Sequence, residues 1–98
     1  MCGLTGLLRS SPSDDIIAQV AKMTARLVHR GPDDEGVWTE GVIGLGHRRL
    51  AIIDLSATGA QPMHSDCGRY VLAYNGEVYN HLDLRRALEV EGAAPPWR

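Results

Sequence analysis

A chain of 98 residues and 10.7 kDa has the length of one ordinary domain. With 44% hydrophobic and 22% charged residues it has the composition of a globular protein, and no apolar run approaches the roughly 20 residues of a membrane span. Twelve acidic residues outnumber ten basic ones, so the net charge of −2 argues against a nucleic-acid-binding or anionic-membrane-binding surface.

The first predicted element is a strand over residues 2–8. This segment is apolar and punctuated by glycine, which is typical of a buried strand that other backbone approaches closely. The same segment lacks the basic leader and long apolar core of a signal peptide, so we expect a cytoplasmic protein. Cys2 and Cys67 are too few and too far apart for a disulfide scaffold or a paired-cysteine metal site.

A helix is predicted to begin after Ser13, which can cap it, and to end near Val28. Two aspartates follow the cap, where carboxylates stabilise the positive end of the helix dipole. Pro32 prevents the helix from continuing, since proline disfavours helical backbone in the residue before it. Apolar residues three and four apart provide one face for packing on a sheet: Ile16, Val20, Met23 and Leu27.

The region after this helix has the composition of short β-strands. Runs rich in Val, Ile and Leu and broken by glycine occupy residues 36–38 and 42–54, which predicts adjacent antiparallel strands. After a turn-rich loop, residues 69–79 alternate as a strand does, with a tight Asn75-Gly76 step in the middle. One face of that strand would carry Tyr70, Leu72 and Tyr74, and the other Val71 and Ala73.

A second helix is predicted between Asn80 as its cap and Gly92 as its stop. Asp83 would lie in its first turn, and Leu84, Ala87 and Leu88 would share one face. The order of strand, helix, several strands and helix predicts an α+β fold, with helices covering a mostly antiparallel sheet.

Cys2 is the first candidate catalytic residue, because removal of the initiator methionine would make it the N-terminus. A cysteine thiol and a free α-amine in general have pKa values of about 8.5 and 8, both close to working pH. The amine could accept the thiol proton, so one residue would carry both nucleophile and base. The alternative is that Cys2 is a small buried strand residue, since free cysteine is among the most buried residue types.

Asn75 and Gly76 form the second candidate. A side-chain amide beside an unhindered backbone N–H can supply the two donors of an oxyanion hole. Asn-Gly is also the commonest two-residue hairpin turn, so the pair taken alone favours a simple turn.

Arg48 and Arg49 form the third candidate, because strand alternation sends one of them inward. An inward guanidinium needs an anionic partner, and a substrate carboxylate would match its fork. The alternative is an ion pair with Asp54 or Glu35. No metal site is predicted, since the short run from His64 to Cys67 has no second cluster of ligands.

Five separated blocks carry a more specific signal than any single candidate. They are MCGLTG, HRGPDDEG, LGHRRLAIIDLS, GAQPM and YNGEVYN. In this order they closely resemble the class II glutamine amidotransferase domain of glutamine-hydrolysing asparagine synthetases, over residues 1–92. The resemblance implies an N-terminal-nucleophile (Ntn) hydrolase fold, an αββα sandwich, of which residues 1–98 would form the N-terminal part.

The resemblance also implies a role for each matched residue. Cys2 would attack the side-chain amide carbon of glutamine, forming a thioester and releasing ammonia before hydrolysis to glutamate. Arg49 would hold the substrate α-carboxylate, and Glu77 would help to receive its α-ammonium. Asn75 and Gly76 would supply the oxyanion donors. Arg30 and Gly31 would provide structural support near the nucleophile.

The sequence departs from the family pattern at its end. Relatives continue with a segment resembling GHSDTE, whose aspartate completes the ammonium cradle, and with an ATP-binding synthetase domain for asparagine biosynthesis. We therefore expect no cofactor in this chain, with ATP and Mg²⁺ needed only by that domain. The expected partners are glutamine and a synthetase domain or longer chain. A homodimer is left open, and we expect binding to neither nucleic acid nor membrane. The alternative is a non-catalytic truncated fragment or an interaction module that retains the motif.

Overall fold

The computed structural model describes residues 2–51 and 59–94. In these ranges the chain forms two helices and two antiparallel sheets, which confirms the predicted α+β class. The elements in chain order are β1 (Gly3–Leu8), α1 (Ile16–Ala25), β2 (Asp34–Glu40), β3 (Ile43–Arg49), β4 (Met63–His64), β5 (Val71–Leu72) and α2 (His81–Val90).

The larger sheet has the strand order β1-β3-β2, with both neighbouring pairs antiparallel. The predicted pairing of adjacent strands in this region is confirmed, because β2 and β3 form a hairpin. Gly41 lies in its turn with φ +60°, a backbone conformation that glycine adopts without steric cost. β3 is central, so the residues at its end are held by hydrogen bonds on both sides.

Helix α1 packs on one face of this sheet. Gly44 and Gly46 expose β3 backbone there, and the side chains of Val20 and Thr24 lie where a Cβ at these glycines would be. Thr24 is fully buried, and its hydroxyl lies 2.6 Å from the Val20 carbonyl oxygen and 2.9 Å from the Thr5 hydroxyl. The small Thr24 thus fits against glycine with its polar atom hydrogen-bonded.

Two details of the α1 prediction were wrong. The buried positions are Ile16, Val20 and Thr24, whereas Met23 is 37% exposed. The helix begins later and ends earlier than predicted, with Asp15 rather than Ser13 at its N-cap. The buried face of α1 is determined by its packing against the glycines of β3. The spacing of apolar residues within α1 therefore does not identify that face.

The other face of the larger sheet is partly covered by the segment containing β4 and β5. The rings of Trp38 on β2 and His64 on β4 meet edge to face, with centroids 6.2 Å apart. Gly36 accommodates the Gln61 carbonyl, which lies where a Cβ would be. The order helix, sheet, sheet is therefore consistent with part of a layered Ntn-type fold.

Among the described residues, only two from the predicted segment over residues 69–79 pair with another strand. Val71 and Leu72 oppose His64 and Met63, so the partner strand is equally short. The apolar face predicted for this strand is largely exposed in the described residues, at Tyr70, Leu72 and Tyr74.

Helix α2 confirms the predicted second helix, with Asn80 at the N-cap and Gly92 just beyond the end. Gly92 has φ +73°, and the Gly92 and Ala93 amides donate to the Glu89 and Leu88 carbonyls, which is the pattern of a glycine-terminated helix. None of the residues of α2 is buried. Within the described ranges, neither helix has the length and apolar character needed to cross a membrane.

Candidate active site

Cys2 lies immediately before β1, at the edge of the sheet where β3 ends. The Leu50 backbone N–H donates to its Sγ at 3.3 Å, which fixes the sulfur beside the residue that follows Arg49. Because Gly3 pairs with Arg48, the same register continued by one residue sets Cys2 opposite Arg49. The cysteine is half-buried. Met1, whose removal would free the amine, lies outside the described residues.

Arg48 and Arg49 diverge onto opposite faces of β3, as the alternation predicts. Arg48 donates its Nε–H to the Gly31 carbonyl at 2.8 Å and forms an ion pair with Glu35 at 3.0 Å. The predicted alternative of an ion pair with Glu35 is therefore formed by Arg48. Arg49 is only 8% exposed, and its guanidinium packs against Gly59. The other alternative partner, Asp54, lies outside the described residues.

Arg30 and Gly31 lie behind the cysteine, on the α1 side of the sheet. Gly3 packs against Arg30 and Leu27, so the residue after the cysteine is in direct contact with this turn. Gly31 abuts the Arg48 backbone, because a Cβ there would overlap the Arg48 carbonyl. The turn thus supports the ends of β1 and β3, next to both Cys2 and Arg49.

Asn75 and Gly76 follow β5 and are exposed. They lead into α2 and not into a strand that pairs back on β5, so the simple hairpin interpretation was wrong. The Tyr74 phenol packs against Gly76, and Glu77 is exposed directly after the turn. The structure therefore joins Cys2 with the Arg49 end of β3. The Asn75–Gly76 turn is connected to the same strand through the residue before it.

That connection uses His47 and Gln61, for which no role was predicted. His47 on β3 is 1% exposed, and its Nε2 lies 3.2 Å from the Tyr74 carbonyl oxygen. The Tyr74 backbone N–H donates to Oε1 of Gln61 at 2.6 Å. A signal was present, since His47 lies two residues before Arg49 and alternation puts both side chains on one face of the strand. Metal-ligand spacing, the criterion applied to the run from His64 to Cys67, does not detect this arrangement.

Burial is the main influence on the His47 imidazole. Loss of hydration lowers its pKa below the usual range for histidine, and the nearby Arg49 cation acts in the same direction. The Tyr74 carbonyl and Asp34 favour the charged ring and oppose this pKa shift without reversing it. The ring is therefore neutral at pH 7. Among residues 2–51 and 59–94, no group of three or more His, Cys, Asp or Glu residues is placed to hold a metal ion.

Comparison with known proteins identifies the family. A family model described as a glutamine amidotransferase domain matches residues 1–95. The chain belongs to this family. Asparagine synthetase 1 (glutamine-hydrolyzing) of Bacillus subtilis is 38% identical over 94% of the chain. The glutamine-hydrolyzing asparagine synthetase of Asparagus officinalis is 45% identical over 90%, and asparagine synthetase 1 of Arabidopsis thaliana is 42% identical over 91%.

The chain spans only 15% of the length of each of these three relatives. The similarity therefore extends over the amidotransferase residues and leaves most of each relative unmatched. The family match and the five sequence blocks cover the same part of the chain, which confirms the resemblance found in the sequence.

Proposed function

We propose that this chain is the N-terminal part of a glutamine amidotransferase domain from an asparagine synthetase-type enzyme, built to hydrolyse glutamine to glutamate and ammonia. The observation that carries the proposal is the position of the Cys2 sulfur, held by the Leu50 N–H and set opposite Arg49. A nucleophile beside a buried guanidinium suits a substrate that carries both a reactive amide and an α-carboxylate.

In the proposed reaction, Cys2 becomes the N-terminal residue and its free α-amine accepts the thiol proton. The sulfur attacks the side-chain amide carbon, and the tetrahedral oxyanion receives hydrogen bonds from Asn75 and the Gly76 N–H. The carbon–nitrogen bond then breaks, the nitrogen takes up the proton held by the amine, and ammonia leaves a thioester. Water attacks the thioester, and its proton returns to sulfur as glutamate is released.

Substrate binding is assigned to two charged residues. Arg49 holds the α-carboxylate, for which its planar guanidinium supplies two parallel donors. Glu77 helps to receive the α-ammonium. Arg30 and Gly31 act indirectly, because their packing against Gly3 and the Arg48 backbone keeps the two strand ends together.

The use of the ammonia is assigned by the names of the relatives. They are called glutamine-hydrolyzing asparagine synthetases, so the proposed acceptor is aspartate, amidated at the expense of ATP. In this proposal ATP and Mg²⁺ are used by a synthetase domain, as the resemblance to asparagine synthetases implies.

The test is ammonia release from glutamine by the purified chain, compared with Cys2→Ala and with Cys67→Ala as the matched control. We expect activity from the chain and from the Cys67 variant, with intact mass showing that Met1 is lost, and none from the Cys2 variant. Equal activity in the Cys2 variant would refute the mechanism. So would retention of Met1 in active material.

A second candidate is a fragment that becomes active only with further polypeptide. It is favoured by one observation, the absence of any buried residue from α2. The same assay distinguishes the two, using a longer chain that includes the synthetase region. Activity restricted to the longer chain, and still dependent on Cys2, favours the fragment.

A further inference from the structure

His47 is a buried polar side chain for which the proposed reaction has no direct use. It is 1% exposed, and its Nε2 lies 3.2 Å from the Tyr74 carbonyl oxygen. A carbonyl oxygen can only accept a hydrogen bond, so Nε2 must carry the proton for this contact to be favourable. The contact joins the central strand of the larger sheet to the residue immediately before Asn75.

The other ring nitrogen has no such role. Nδ1 of His47 is buried and has no hydrogen-bond partner among the described residues. In the neutral ring with a proton on Nε2, Nδ1 is a bare acceptor, and leaving it unpaired costs stability. An apolar residue of similar size would fill this space without the cost of an unpaired nitrogen. The contribution that sets histidine apart here is therefore the Nε2–H bond to Tyr74.

The backbone of Tyr74 is held from both sides. Its N–H donates to Gln61 at 2.6 Å while its carbonyl accepts from His47. The Tyr74 carbonyl and the Asn75 N–H belong to one planar peptide unit, so fixing the first also fixes the second. The backbone direction at the start of the Asn75–Gly76 turn is thereby set from β3, the strand that ends at Arg49.

We propose that His47 is a positioning residue for the Asn75–Gly76 turn. Its neutral imidazole orients the Tyr74 peptide so that the turn presents its donors toward the space beside Cys2 and Arg49. The catalytic meaning of this placement rests on the proposed function, in which those donors stabilise an oxyanion. Oxyanion donors must be held within a few tenths of an ångström of the productive geometry, so a displaced turn is costly.

The first test is NMR on the isotopically labelled chain, which needs no activity. We expect the His47 ring nitrogens to show the neutral form with the proton on Nε2. In His47→Leu, which cannot donate, the Asn75 and Gly76 amide resonances should shift or broaden, whereas His47→Gln should restore them. His29→Leu removes an exposed histidine and serves as the control. Unchanged α1 resonances, and unchanged resonances of β1 residues remote from residue 47, establish that the sheet is intact in each variant.

Two results would overturn the proposal. One is a proton on Nδ1 in the unmodified chain, which decides the question even if the leucine variant fails to fold. The other is a folded His47→Leu variant whose Asn75 and Gly76 resonances match those of the unmodified chain.

The second test is the rate at which a glutamine-like electrophile modifies Cys2. We expect His47→Leu to lower the maximal rate by roughly 10- to 100-fold, with little change in the half-saturating concentration, and His47→Gln to recover most of it. A loss that appears only in the half-saturating concentration would contradict positioning of the turn. If the unmodified chain shows no directed reaction, the proposed function fails, whereas the NMR result still decides the role of His47.

Discussion

Cys2 and Cys67 differ in the surroundings that determine their reactivity. Cys2 is half-buried with its sulfur beside the Leu50 N–H. Cys67 is exposed in the turn between β4 and β5, and the Ser65 hydroxyl, followed by the Arg69 backbone, lowers its pKa. Cys67 should therefore be the thiol more accessible to a simple alkylating agent. Only a binding site for glutamine would direct reaction to Cys2.

We accordingly expect a reversal of labelling between two reagents. Iodoacetamide should modify Cys67 faster than Cys2, because it needs only an accessible thiolate. A glutamine-analogue electrophile should modify Cys2 and spare Cys67. Peptide mass spectrometry measures both sites in one sample, and Arg49→Gln should weaken the second reaction without affecting the first. Equal labelling of the two cysteines by the analogue would count against a glutamine pocket.

The buried imidazole of His47 makes folding stability depend on pH. Its pKa is lowered in the folded chain, chiefly by burial and then by Arg49, so the unfolded chain binds the proton more readily. The stability contributed by the neutral ring is present above about pH 6.5 and is lost as the pH falls below that value.

We expect the free energy of unfolding in urea to decrease from about pH 7 to pH 5, in the range where histidine titrates and carboxylates largely do not. His47→Gln should flatten this dependence, because it removes the group that takes up the proton on unfolding. His29→Leu, at an exposed site, should leave the dependence unchanged. An identical pH profile for the chain and for His47→Gln would show that another group is responsible.

Single residues with a distinctive chemical type can be proposed from sequence alone. Cys2 and one inward arginine were proposed from the start of the chain and from strand alternation, whereas the choice of Arg49 came from the resemblance. His47 and Gln61 were not proposed, because their contacts with Tyr74 come from distant positions in the chain. No local pattern specifies such a contact.

At the level of elements, local signals predicted α2 and the β2–β3 hairpin. The buried face of α1, in contrast, depends on the sheet against which the helix packs. The ends of α2 follow from Asn80 and Gly92, which act within a few residues. The buried face of α1 follows from Gly44 and Gly46, which belong to another element. The predicted strand over residues 69–79 has too short a partner to pair along its length, and strand length is a property of both members.

The turn before β2 provides a test of how elements are held together. In Gly31→Ala the added methyl would overlap the Arg48 carbonyl, which belongs to the backbone and cannot move away by a side-chain rotation. We expect a loss of about 1–3 kcal/mol in the free energy of unfolding, measured in urea. Gly6→Ala is the matched control, because its Cβ would lie 3.5 Å from a Leu45 methyl, an ordinary contact. Equal stability of the two variants would contradict the close packing at Gly31.

For the whole molecule, the burial of the described residues is uneven. Ile16, Val20 and Thr24 lie between α1 and the larger sheet, whereas α2 contributes nothing to a core. An isolated helix of this length is marginal in water, because most helical stability in proteins comes from packing. The two helices should therefore differ in how often they open.

Hydrogen exchange followed by mass spectrometry measures this difference. We expect amides of β3 to be protected for far longer than those of α2, since β3 is central and hydrogen-bonded on both sides. Helix α1, which packs on the sheet, is the internal reference for a helix of similar length. Protection of α2 equal to that of α1 would show that α2 is packed in solution, for example by association of two chains.

The central strand β3 has two sides with different tolerance for change. On the side that faces α1, its glycines leave no room for a larger residue, and even a methyl group would push the helix away. On the opposite side, the positions of His47 and Arg49 need side chains that can hydrogen-bond or carry a charge. A bulkier residue at Gly44 or Gly46 would act through packing against α1. A mutational scan along this strand should therefore show damage at these two glycines from added volume, and at His47 and Arg49 from lost polar contacts.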